Sequence, residues 1–215
     1  IINLICIFII YHTITKDRSY VLNQDRKTVN DVNWDNSIDK EKTAYLLLHH
    51  ESHTITTKQK ERLMGLRLLL QTLLLTETER DILIYYTKST SMNSIHLLKQ
   101  DIKLYIKTYK TTTKITFEQI KFIPQERITT HGDCEHKFLY IHAFNTFNQY
   151  QRIIHIASST LVLLNMDELF LCSDYCSVFN SWLYHSDLVT VFKPKQQTYN
   201  DLLLAYQTYV DDTIT

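Results

Sequence analysis

Between Asp81 and Leu183 the chain reads strand, helix, strand, strand, helix, strand, and that order limits its folds more than any other feature. Asp81–Thr87 is a β-branched and aromatic run suited to a buried strand. Asn93 or Ser94 can cap a helix that sets Ile95, Leu98, Ile102, Tyr105, Ile106 and Tyr109 on one face. Thr111-Thr112-Thr113 discourage its continuation. Lys114–Phe122 is strand-like and stops before Pro124. A short strand is expected at Arg127–Thr130, strand periodicity between Phe138 and Ile156, and a last strand at Tyr175–Leu183. Ser158-Ser159-Thr160 can cap a short helix running through Met166. Two crossover helices on one face of a mixed four-stranded sheet make a ferredoxin-like split βαβ core, an α+β fold with a long hairpin.

The flanks read as extensions. Residues 1–80 are expected to be partly helical, with helices at Asp39–His50 and Lys58–Leu75. Ile1–Ile10 is too short to span a bilayer and reads as a buried strand. Residues 184–215 form an acidic extension, with an amphipathic helix around Tyr199–Val210.

Two glycines in 215 residues exclude any Gly-rich phosphate loop, because neither Gly65 nor Gly132 has a second glycine nearby. The net charge is zero, but it is unevenly placed. From Arg80 to Ile156, 11 lysines and arginines face 6 acids, and everything after Ile156 is acidic. Four scattered cysteines are too few for a secreted disulfide scaffold and favour a reducing compartment.

The sharpest motif is a lysine stripe. Lys99, Lys103, Lys107 and Lys110 share one side of the first crossover helix, with Asp101 as the nearby offset. Lysines so placed can neutralise nucleic-acid phosphates, whereas the plain alternative is a solvated helix face. His49-His50-Glu51-Ser52-His53 lacks the spacing of a zincin site and reads as a polar helix end. Cys172 and Cys176, with Cys134, His131 and His136, have only a loose zinc spacing, so no metal and no cofactor are expected. Tyr140, Phe144, Phe147 and Tyr150 suit sheet packing better than base stacking. No oriented nucleophile or carboxylate pair stands out, and the chain is not expected to be an enzyme.

Several elements, taken in order, resemble the ribosomal protein S-ten family of the small subunit's head. Ile84–Ser89 is similar to that family's strand ending in Lys-Ser, and Leu97-Leu98-Lys99-Gln100 to the opening of its helix, with Ile106, Thr108 and Lys110 at matching offsets. Ile120–Pro124 resembles its Ile-Pro-Leu-Pro element with one proline lost. Glu126-Arg127-Ile128-Thr129 resembles the start of its hairpin, and Leu163–Asp167 resembles a Leu-Met-x-Leu-Asp element in its second helix. The resemblance covers residues 81–183, and the hairpin departs from the family in being poor in basic residues.

It implies a non-catalytic, structural protein of the small ribosomal subunit's head. The long extensions, the non-Met start and a composition rich in Ile, Asn, Lys, Tyr and Thr, as AT-rich coding gives, point to a mitochondrial subunit in the matrix. Its partners would be ribosomal RNA and neighbouring head proteins, with no membrane and no small-molecule substrate. Lys88, Lys99, Lys103, Lys107, Lys110, Arg127, Thr129 and Arg152 are the expected RNA contacts. The rival expectations are an RNA-cleaving plasmid-type toxin and an accessory subunit of a respiratory complex.

Overall fold

The computed structural model of the chain describes residues 42–51, 57–120, 134–172, 175–180 and 184–212. Six strands and four helices alternate through them: β1 (Thr43–His49), α1 (Thr57–Leu75), β2 (Asp81–Thr87), α2 (Met92–Tyr109), β3 (Ile115–Ile120), α3 (Cys134–Ala143), β4 (Arg152–Ile156), β5 (Tyr175–Asn180), β6 (Tyr184–Phe192) and α4 (Gln196–Asp212). The fold is α+β with one mixed sheet in the order β3-β2-β1-β4-β6-β5. β3, β2, β1 and β4 run parallel, β6 is antiparallel to β4, and β5 is antiparallel to β6. The expected four-stranded ferredoxin-like sheet is therefore replaced by a six-stranded one that also uses residues before 81 and after 183.

The largest correction is at Asp39–His50, expected as a helix. Residues 43–49 form the central strand, buried along its whole length. A parallel strand covered on both faces reads as an unbroken apolar run, and Ala44-Tyr45-Leu46-Leu47-Leu48 gives no alternation to distinguish it from a helix. Its two faces feed two cores. Tyr45 and Leu47 pack with Leu66, Leu69, Leu70 and Leu73 of α1 and with Ile95, Leu98 and Ile102 of α2. Ala44, Leu46 and Leu48 pack on the other side with Leu139 and Ala143 of α3 and, across the 3-10 turn Phe144–Thr146, with Phe144.

The expected strand periodicity from Phe138 onward is helix until Ala143, because Leu139, Ala143 and Phe144 form a buried stripe at helical spacing. Only Arg152–Ile156 of that stretch is strand. The helix expected at Ser158–Met166 is also absent: the segment runs without regular structure into a 3-10 turn at Asp167–Leu171. The strand expected at Arg127–Thr130 and the elements expected within residues 1–41 lie outside the described residues.

The segment after β4 follows α1 from its middle to its carboxyl end. The Val162 amide donates to Thr72 Oγ1 at 3.2 Å, and Asn165 Nδ2 donates to the Thr76 carbonyl at 3.1 Å. Near the start, the Ser158 carbonyl lies where a Cβ on Gly65 would stand, 2.4 Å away. At the far end Asp167 accepts from Tyr45 Oη and Thr78 Oγ1, both at 2.8 Å, and pairs with Arg80 Nε at 3.3 Å. Burial, with the adjacent Asp167 carboxylate, pushes the Tyr45 phenol far above its ordinary value.

Candidate functional site

In an open sheet of this type, ligands bind outside the carboxyl ends of the strands at the point where strand order reverses. Here that point lies between β1 and β4, because the chain leaves β1 toward β2 on one side and β4 pairs on the other. His49, His50 and Glu51 end β1, Thr87–Ser91 follow β2, and Ala157–Thr160 follow β4 at the same edge.

The first two segments are tied into a polar cluster around Glu51. Its Oε2 accepts from the Ser91 amide at 2.6 Å, and its Oε1 accepts from Ser94 Oγ at 2.5 Å. Ser91 is the N-cap of α2, so the carboxylate sits at the positive end of that helix. His49 Nε2 stands 3.2 Å from the same Oε1. Burial lowers the His49 pKa, and Glu51 opposes the shift less strongly. A neutral His49 can therefore donate from Nε2 to Glu51. His50 Nδ1 lies 3.1 Å from Thr87 Oγ1, which is 2.6 Å from Ser89 Oγ. The cluster locks the ends of β1 and β2 to the start of α2. It also fills the anion position at that helix end with the chain's own carboxylate.

Around this edge stand cations. Lys88 is exposed directly after β2. Arg62, exposed in the early part of α1, lies close enough to contribute to the lowering of the His49 pKa. Among the described residues no group of three or more His, Cys, Asp and Glu side chains could hold a metal ion.

The structure separates the residues that the sequence grouped. α2 runs from the carboxyl edge back to the amino edge, so Lys88 lies at the crevice while Lys99, Lys103, Lys107 and Lys110 line the outer flank of the helix. Lys99 Nζ rests 5.2 Å above the Phe117 ring, and Lys110 is the left-handed C-cap residue. Arg152 is buried, 5% exposed, at the start of β4 opposite Thr43. Arg127 and Thr129 lie outside the described residues. Cys172 and Cys176 form a disulfide with Cα atoms 6.4 Å apart. So joined, neither sulfur is a free thiolate. By sequence alone His49-His50-Glu51 reads as a polar helix end. Only the pairing of β1 between β2 and β4 makes it a crevice floor.

No protein-family model matches the chain. A stretch of 149 residues, 69% of the chain, is 23% identical to PGSIP7 of Arabidopsis thaliana, a protein proposed to be a glucuronosyltransferase. The match spans 28% of that relative's length. This similarity overturns two expectations, the structural role in a ribosome and the absence of enzymatic activity, because the similar protein bears a glycosyltransferase's name.

Proposed function

We propose that the chain is a glycosyltransferase-type domain that holds a nucleotide-linked sugar in the crevice between the carboxyl ends of β1 and β4. The observation that carries this reading is the reversal of strand order at β1, with a rigid polar floor beneath it. The 149-residue similarity to a proposed glucuronosyltransferase supports the choice of sugar transfer among nucleotide-using reactions.

Each part then has a task. Glycosyl transfer breaks the bond from the anomeric carbon to a diphosphate and forms one to an acceptor oxygen, so charge collects on the departing diphosphate. Lys88 and Arg62 are placed to balance it at the crevice rim. The Glu51 cluster fixes the strand ends against each other, which preorganises the floor. Contact between Ser158 and Gly65 fixes the opposite wall to α1.

Thermal unfolding with UDP, GDP, ADP and UDP-glucuronate tests the reading. A bound ligand at a hundred times its Kd stabilises the fold by about 2.7 kcal/mol. One nucleoside diphosphate and its sugar conjugate are expected to raise the midpoint. Lys88→Glu is expected to weaken that ligand about tenfold. No stabilisation by any of the four would overturn the proposal.

A further inference from the structure

The outer face of the α1–α2 layer exposes several apolar side chains beside a basic edge. Met64, Leu68 and Leu75 recur on the outermost line of α1, each between 43% and 51% exposed. Leu163 and Leu164 continue this surface on one side, since Val162 and Asn165 are bonded to Thr72 and Thr76 of the same helix. On the other side α2 adds Leu97 and Leu104 on the flank nearer α1. That flank is fixed by Asp101, which turns toward α1 and pairs with Arg67. Single exposed leucines are ordinary, but several on the same outer layer mark an interaction face.

Next to Leu97 and Leu104, the far flank of α2 carries Lys99, Lys103 and Lys107, and Asp101 is the helix's lone acid. We infer that this face docks on an anionic phospholipid surface. The leucines would enter the boundary between headgroups and acyl chains, and the lysines would meet the headgroups. The lysine edge selects that occupant, with the exposed Glu61 and Glu77 lying beyond the two ends of the α1 line. Nucleic acid would satisfy the lysines and leave the apolar side chains in water. A second copy would bring the same patch against itself, so the self-complementary contact would have to accommodate two lysine edges. None of the helices among the described residues is long and apolar enough to cross a membrane, so the contact is peripheral. The inference departs from the expectation of no membrane partner, and it does not depend on what the crevice binds.

The test is co-sedimentation of the full chain with phosphatidylcholine vesicles, plain or containing one-third phosphatidylserine, at low and high salt. Binding is expected only with phosphatidylserine and is expected to weaken with salt. Each lysine near an anionic surface strengthens binding about fivefold, so the triple change Lys99→Gln, Lys103→Gln, Lys107→Gln is expected to cost on the order of a hundredfold. The pair Leu68→Gln and Leu104→Gln, both at exposed positions, is expected to abolish binding without moving the unfolding midpoint. Met64 is expected to be readily oxidised by hydroxyl radicals in the free chain and protected on vesicles. Equal binding to neutral vesicles, or none, overturns the inference. So does retention on RNA that the leucine pair leaves intact, or a dimer that Leu68→Gln dissolves. Protection of Met64 in the free chain would mean that the chain's own remaining segments cover the face, and it too overturns the inference.

Discussion

Gly65→Ala isolates the contact between α1 and the turn after β4. In an exposed helix the substitution is stabilising by about 1 kcal/mol, because glycine gives up more backbone freedom. At Gly65 the new Cβ would stand 2.4 Å from the Ser158 carbonyl oxygen, whereas ordinary contact begins near 3.4 Å. About 1 Å of separation has to open between two backbones, and no side-chain rotation can relieve it. Overpacking of this kind costs about 1–3 kcal/mol, and the backbone partner puts it at the upper end. The net expectation is a loss of about 1–2 kcal/mol, read as a fall of roughly 0.5 M in the urea midpoint at unchanged slope. Because Ser158 moves with the crevice wall, nucleotide binding is expected to weaken in the same variant. A midpoint that rises by the helix-propensity gain, with binding unaltered, would refute the close approach.

Two further substitutions probe the far end of the same segment. Asp167→Ala leaves the Tyr45 hydroxyl and Arg80 without this acceptor and is expected to cost about 3 kcal/mol in urea unfolding. Tyr45→Phe removes only one bond of that set and is expected to cost about 1 kcal/mol; equal losses would mean the Asp167 charge carries nothing. Stability is also expected to depend on pH through His49 and His142, whose pKa values burial lowers. The unfolded chain takes up their protons below about pH 6.5 while the folded chain resists, so stability is full above that value and declines as pH falls. His142→Gln is expected to flatten the decline. A slope identical to that of the parent chain would remove His142 from the account.

How much the sequence disclosed depended on whether an element's identity was local. Helix α2 was legible from its spacing because Ile95, Leu98 and Ile102 face a core and the lysines face water. Strand β2 was legible because Ile82-Leu83-Ile84-Tyr85 is β-branched and aromatic. β1 was not, because its run of leucines suits helix and buried strand equally, and sequence decides between them only by pairing with partners far away. Across α3 and the turn after it, aromatics at Tyr140 and Phe144 imitate the alternation of a strand while Leu139 and Ala143 set the true face. β6 opens with the polar run Tyr184-His185-Ser186-Asp187, which masked the apolar Val189 and Val191 behind it. The crevice shared the fate of β1. Its residues stand out in the sequence as a histidine-rich motif, but the switch point is defined only by the strand order.

The central position of β1 also sets a timetable for synthesis. β1, α1, β2, α2 and β3 can assemble as soon as they emerge, yet the second edge of β1 stays open until β4 arrives, about 110 residues after Thr43. At about 5–20 residues per second that interval lasts roughly 5–20 s. Throughout it, an unpaired and largely apolar strand edge is available to other nascent chains, so this interval is the stage of synthesis at which the chain is most exposed to mispairing.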